Sequence, residues 1–213
     1  MSHVTKSVLV TGCAGFIGSN FTKEFLRRFP RVRVVGIDDF STGRRDAVPH
    51  GIAFYKGSIT NEELIRSIFK KQRPTYVFHF AANPKVSVSV QEPFRTTGGN
   101  LGGTVLLLEA ARDYRVKRFI YSSSCAIYGN ARTFPVKESR NKANPLSPYA
   151  LQKYAGELFC KQFSELFGLD TVSLRNFNVY GPGQYGDSAY STVISAWLSA
   201  LYLKSRRPYL EGK

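Results

Sequence analysis

The chain has 213 residues, 43% of them hydrophobic, with three cysteines and a formal net charge of +15. That length supplies one complete core and part of a second domain, and no apolar run reaches the ~18 residues of a membrane span. The N-terminus lacks the charged-then-apolar pattern of a secretory signal, and Cys13, Cys125 and Cys160 stand at unrelated spacings, which points to reduced thiols in a cytoplasmic compartment rather than a disulfide framework.

Residues 7–11 read as a short buried strand. Gly12-Cys13-Ala14-Gly15-Phe16-Ile17-Gly18 follows, and a helical pattern runs over residues 19–29. Strand, glycine loop and helix is the context in which backbone N–H groups and a helix N-terminus approach a pyrophosphate, although the spacing is Gly-x-x-Gly-x-x-Gly. Residues 32–37 predict a second strand, ending at Asp38-Asp39. Asp38 lies about 20 residues past the fingerprint, where an acid binds a ribose 2′-OH and repels a 2′-phosphate. NAD is therefore favoured over NADP, with Arg44 and Arg45 close enough to weaken the preference.

A third strand is expected at residues 52–55, with Gly57-Ser58-Ile59 passing the adenine. A capped helix follows at 61–71 and a fourth strand at 75–80. His79, alone in that apolar strand, reads as a hydrogen-bonded core residue. Residues 102–114 form an apolar helix and 119–122 a fifth strand that runs into Ser123-Ser124; 129–148 is a long polar loop, read as a flap near the site. Residues 149–167 predict a long amphipathic helix and 171–175 a sixth strand.

Alternating strands and helices imply an α/β fold: a Rossmann doubly wound parallel sheet with helices on both faces. Residues 1–177 would be the dinucleotide-binding domain and 178–213 part of a small substrate domain. Ligands should lie at the carboxyl ends of the strands, where Gly12, Asp38, Ala81-Ala82 and Ser122-Ser123-Ser124 all fall. Tyr149 and Lys153, four residues apart, share one helix face there. A tyrosine serving as a base near neutrality needs its pKa lowered by roughly 3 units, about 4 kcal/mol. An adjacent ammonium, helped by a cationic nicotinamide in a dry pocket, would supply that.

Taken in order, the glycine loop, Asp38-Asp39-Phe40-Ser41-Thr42-Gly43, Phe78-His79-Phe80-Ala81-Ala82, Asn100-Leu101-Gly102-Gly103-Thr104, Ser122-Ser123-Ser124-Cys125-Ala126-Ile127-Tyr128-Gly129, Tyr149-x-x-x-Lys153 and Arg175-Asn176-Phe177-Asn178-Val179-Tyr180-Gly181-Pro182 resemble the extended short-chain dehydrogenase/reductases that act on nucleotide sugars, above all UDP-hexose 4-epimerases. The resemblance implies NAD, held by Gly12, Gly15, Phe16, Ile17, Gly18, Asp38, Asp39, Ser41, Thr42, Gly43, Ser58, Ile59, Phe80, Ala81, Ala82 and Asn100 with Tyr149 and Lys153, and no metal. Ser58 replaces the family's usual adenine-reading Asp, and Asn83-Pro84-Lys85 departs from the pattern after Ala81-Ala82.

The implied catalytic residues are Tyr149 as base, Ser124 on the reacting oxygen, and Lys153 on the nicotinamide ribose. Related 4,6-dehydratases carry Asp-Glu, and related decarboxylases a Glu, within the position pair held here by Cys125-Ala126, which favours epimerisation. Residues 184–197 resemble the branch accepting N-acetylated UDP-hexoses, with Lys85, Ser124, Asn178, Thr192, Val193, Trp197 and Tyr209 toward the UDP-sugar; Trp197 reads equally as a core residue. The family's substrate-binding Arg-Asp-Phe segment lies farther along than Lys213, so only part of the substrate domain is expected here.

A weakly active NAD-binding protein with a structural role, or another NAD-dependent nucleotide-sugar enzyme, are the competing readings. The apolar helices at 102–114 and 149–167 predict a homodimer. Clusters such as Arg27-Arg28, Lys70-Lys71 and Arg112 with Arg115 predict a basic collar for a polyanion or acidic partner.

Overall fold

The structure, a computed structural model, describes residues 6–184 and 193–202. The chain divides into two compact units, Met1–Phe177 and Asn178–Lys213. In the first, strands β1 (Ser7–Thr11), β2 (Arg33–Asp38), β3 (Ala53–Lys56), β4 (Tyr76–His79), β5 (Arg118–Ser124) and β6 (Thr171–Asn176) form one sheet in the order β3-β2-β1-β4-β5-β6. Every pairing is parallel.

All five residues of β1 are buried, as expected of a central strand covered on both faces. The two-residue period sends alternate side chains to opposite sides. Leu9, Val35 and Val77 enter one core with Ile65, Leu107 and Phe163; Val8, Val10 and Val34 enter the other, against Phe21 and Phe25. The strand order reverses between β1 and β4, so the loops leaving these two strands diverge and open a crevice at the carboxyl edge.

The helices are α1 (Phe16–Arg28), α2 (Glu62–Gln72), α3 (Val86–Gln91), α4 (Pro93–Thr97), α5 (Gly103–Asp113) and α6 (Pro148–Phe167). Their ends follow local chemistry. The Asn61 side chain accepts the Leu64 N–H at 3.0 Å to start α2. Ser147 accepts the Ala150 N–H at 3.2 Å, Pro148 takes the first turn of α6, and left-handed Gly168 ends it.

Helix α1 begins three residues before the periodicity indicated, because the glycine fingerprint is itself its first turn: a Cβ on Gly18 would sit 2.1 Å from the Gly12 carbonyl oxygen. Strand β5 extends to Ser124, two residues beyond the predicted end. Helices α3 and α4 and the π-helical turn Gly98–Gly102 are not legible in the sequence. They are short: α3 is a Ser/Val alternation, α4 five residues opened by Pro93, and the turn a glycine-rich run, none long enough to carry a helical period.

His79 is a core residue, as expected. Thr104 Oγ1 donates to the Asn100 carbonyl (2.7 Å) and so accepts from His79 Nε2 (2.8 Å), which leaves Nδ1 to accept from Thr11 Oγ1 (2.7 Å). Burial pushes this imidazole down to about 3, so it stays neutral.

The loop over residues 129–148 is pinned where it leaves the sheet. Asn144 N–H donates to the Ile127 carbonyl at 2.8 Å, and a Cβ on Gly129 would collide with the Asn144 oxygen at 2.1 Å. In the second unit, helix α7 (Val193–Tyr202) carries an exposed Trp197, which is not packed in a core.

Candidate active site

Two groups of residues meet at the carboxyl edge. The first lines the crevice: Gly12, Asp38, Asp39, Ser41, Thr42, Ser58, Ile59, Ala81, Ala82 and Asn100, all singled out from sequence, together with Ile37, Gly57, Asn83, Arg95, Thr96 and Gly99. Gly12 has φ +70°, and a Cβ there would lie 2.7 Å from Ala81 N, so β1 can meet the β4 loop only through a glycine. The Asp38 carboxylate closes one end, accepting the N–H groups of Ala14 (2.9 Å) and Phe40 (2.8 Å). Burial raises its pKa, against the pull of those two N–H groups. A Cβ on Gly43 would meet Asp38 Oδ1 at 2.8 Å, so that glycine lets the loop wrap the carboxylate. Arg44 pairs with Asp46 and Arg45 lies over the Phe40 ring, so both have partners other than Asp38.

Gly15, Phe16, Ile17 and Gly18 shape the first turn of α1 rather than the crevice wall. Phe80 departs from expectation: its ring packs 5.2 Å from Phe21 in the core beneath. Lys85 caps α3. Asn178, Val193 and Trp197 belong to the second unit, and Thr192 and Tyr209 lie outside the described residues.

The crevice suits a dinucleotide: glycine-lined at the β1–α1 turn where phosphates need close backbone approach, and acidic at the end of β2 where a ribose diol needs acceptors. Asn100 does more than line it. Its amide clamps both backbone groups of Asn83 (2.7 and 3.1 Å) and donates to Gln152 Oε1 at 2.7 Å. Gln152 in turn donates to Thr96 and Thr97, each at 3.0 Å. Gln152 and Arg95 are sequence-silent members of the site: Gln152 sits between Tyr149 and Lys153 on α6, and Arg95 pairs with Glu92.

The second group is α6 laced onto the end of β5. Three consecutive serines engage three successive turns of one helix face. Ser124 accepts the Ala126 N–H at 3.2 Å and stands close enough to the Tyr149 phenol for its hydroxyl to lower that group's pKa. The Ser122 carbonyl accepts from Lys153 Nζ at 2.7 Å, and Ser123 donates to Glu157 Oε1 at 2.6 Å. Arg175 on β6 grips Glu157 in two-pronged fashion (2.9 and 2.7 Å) and lies 4.8 Å from the Tyr128 ring. The pair is largely buried, with 20% and 11% of the Arg175 and Glu157 side chains exposed.

The pKa pattern differs from the simple expectation. Burial raises the Tyr149 phenol, and the Ser124 hydroxyl is what pulls it down. Lys153 donates to the Ser122 carbonyl and lies 4.9 Å from the Tyr121 ring rather than pairing with the phenol, and burial pushes its ammonium down to about 8. The protein alone therefore keeps Tyr149 neutral.

The model of the NAD dependent epimerase/dehydratase family matches residues 8–212. A human dTDP-D-glucose 4,6-dehydratase is 33% identical over 196 residues, 89% of this chain and 56% of its own length. The solved UDP-glucose 4-epimerase of Thermotoga maritima with UDP-glucose superposes with a TM-score of 0.90 at 37% identity, covering 94% of this chain and 64% of that one. A UDP-N-acetylglucosamine 4-epimerase from Methanobrevibacter ruminantium, in complex with UDP-N-acetylmuramic acid, gives 0.87 at 37% identity over the same shares. The chain thus spans between half and two thirds of the length of these relatives. With a Rossmann sheet, a glycine-lined crevice and a Tyr-x-x-x-Lys helix at its mouth, the chain belongs to the NAD-dependent epimerase/dehydratase family, and its cofactor is NAD.

Proposed function

We propose that this chain carries the catalytic machinery of a UDP-hexose 4-epimerase acting on UDP-N-acetylglucosamine and UDP-N-acetylgalactosamine. The observation that carries the reading is the group Ser124, Tyr149 and Lys153 at the crevice mouth, with no free carboxylate beside it among the described residues. The turn after Ser124 is Cys125–Tyr128, and burial raises the Cys125 thiol. Glu157, the acid one turn beyond Lys153, is held by Arg175 and Ser123. Dehydration needs a free acid and base near C5 and C6, whereas epimerisation needs one base that works in both directions.

Tyr149, as the phenolate that the cationic nicotinamide of bound NAD would favour, takes the proton from the sugar 4-OH, with Ser124 donating to the same oxygen. Bound NAD would supply the hydride acceptor and donor for C4. The resulting 4-keto sugar turns over, its other face is reduced, and Tyr149 gives the proton back, so there is no net redox. Lys153 would hold the nicotinamide ribose, and Asp38 the adenosine ribose. Similarity to the Methanobrevibacter enzyme supports the N-acetylated substrates.

A homodimer through α5 and α6 completes the proposal. Leu151 and Leu158 on α6 are exposed, and an apolar groove beside α5 is lined by Phe94, Leu101, Val105, Leu106 and Phe159. The three free thiols suit a reducing cytoplasm.

Tyr149→Phe tests the chemistry: turnover of UDP-N-acetylglucosamine is lost while NAD binding persists. Retained turnover removes Tyr149 from the mechanism, and a 4-keto-6-deoxy product replaces epimerisation with dehydration. A monomeric mass by light scattering at micromolar concentration removes the dimer.

A further inference from the structure

We propose that the sheet edge opposite the NAD crevice is a docking surface for single-stranded nucleic acid. Helices crossing a parallel sheet run against its strands, so their C-termini and the strand starts share this edge. Helix α1 ends in Arg27 and Arg28, with Arg31 just beyond; α2 ends in Lys70 and Lys71, followed by Arg73. After α5 come Arg115 and Lys117, with Arg112 in its last turn. Lys6, Arg33 and Arg118 stand at the starts of β1, β2 and β5, aligned by the pairings Ser7 with Arg33 and Tyr76 with Arg118.

Twelve cations therefore share the edge. Among the described residues their ion-pair partners are three carboxylates: Glu24 for Arg27 and Arg28, Asp113 for Arg112, and Asp170 for Arg118. One or two cations per helix end complement the helix dipole; the remainder exceed that need.

A second observation is conformational. Arg73 (φ 45°) and Arg115 (φ 56°) both occupy the left-handed position that closes a helix. Glycine adopts it freely, and an arginine does so at a cost. The chain thus keeps a cation just after α2 and just after α5 where the fold alone favours glycine.

A third observation selects nucleic acid over an acidic protein. The set is mostly arginine, which binds phosphate oxygens in two-pronged fashion, and aromatic rings are interleaved with it. Arg73 lies 5.0 Å from the Tyr114 ring and Arg112 4.9 Å from Phe167. Phe29 and Phe167 are 51% and 49% exposed. Cations that follow a phosphate chain beside rings that stack bases are the features of a sequence-tolerant single-strand site.

The probe is a fluorescein-labelled oligouridylate of ~20 nucleotides, followed by anisotropy. Binding is expected at ~50 mM salt, weakening at least tenfold by ~200 mM as counterion release requires. Lys70→Glu combined with Lys71→Glu and Lys117→Glu should weaken it at least tenfold with NAD affinity unchanged. Arg115→Gly should weaken binding while the thermal midpoint holds or rises, a combination that a merely structural arginine would not give. No binding at ~50 mM, equal binding by the charge-reversed protein, equal affinity for heparin, or displacement of the oligonucleotide by NAD would each overturn the proposal.

Discussion

Lys153 provides the sharpest test of how the site is built. The residue is 3% exposed, and its ammonium donates a hydrogen bond to the Ser122 carbonyl at 2.7 Å. Lowering its pKa from 10.5 to about 8 means that holding the charge costs the folded state about 3 kcal/mol. Below pH 8 both folded and unfolded chains hold this proton, so the cost is fully present and stability is flat in this group. Between pH 8 and 10.5 the unfolded chain keeps a proton that the folded chain has shed, so stability rises with pH.

Cys13 and Cys160 act in the opposite sense. Burial pushes each from 9.0 to about 12. Above pH 9 the unfolded chain loses thiol protons that the folded chain keeps, and stability falls. NAD-free protein should therefore gain stability from pH 8 to 9 and lose it above. Lys153→Met removes the rise and leaves the thiol-driven fall. At pH 7 the variant should be about 2 kcal/mol more stable, the 3 from desolvation less about 1 for the lost hydrogen bond, and the advantage should vanish at about pH 9.5 and reverse above it. Urea denaturation of both proteins across this range measures it. A variant that is less stable at pH 7, or that differs from the parent by the same amount at every pH, would refute a buried, strained ammonium.

Glu157→Gln breaks the largely buried pair with Arg175 and should cost about 3 kcal/mol in urea denaturation; a loss below about 0.5 kcal/mol would mean that the pair behaves as exposed. Tyr121→Phe removes a buried hydroxyl with no hydrogen-bond partner among the described residues, so a gain of about 1 kcal/mol in the same assay is expected and a loss would reveal a partner. Gly18→Ala places a methyl 2.1 Å from the Gly12 carbonyl oxygen and should displace the glycine turn, weakening NAD binding at least tenfold by calorimetry; unchanged affinity would uncouple that turn from the cofactor.

Much of this molecule is legible in its residue order. Six strands, the glycine turn, Asp38 at the end of β2 and the pairing of Tyr149 with Lys153 all follow from periodicity and spacing, because each depends on chemistry within a few residues. Cys125 and Ala126 likewise narrow the chemistry by what they lack. Contacts between distant segments are decided only by the tertiary structure. No local signal announces that Ser122, Ser123 and Ser124 bind three turns of α6, that Gln152 reaches Asn100 across 52 residues, or that Arg175 reaches back 18 residues to Glu157.

The Tyr149 pKa marks the same boundary. Spacing places an ammonium one turn away and suggests a phenolate. Burial, a property of the packed fold, raises the phenol instead and turns the ammonium toward the Ser122 carbonyl. Residue order determines which groups can meet on a helix face or at a strand end. Desolvation, which outweighs pairwise attraction here, depends on everything packed around them and exists only once the chain has folded.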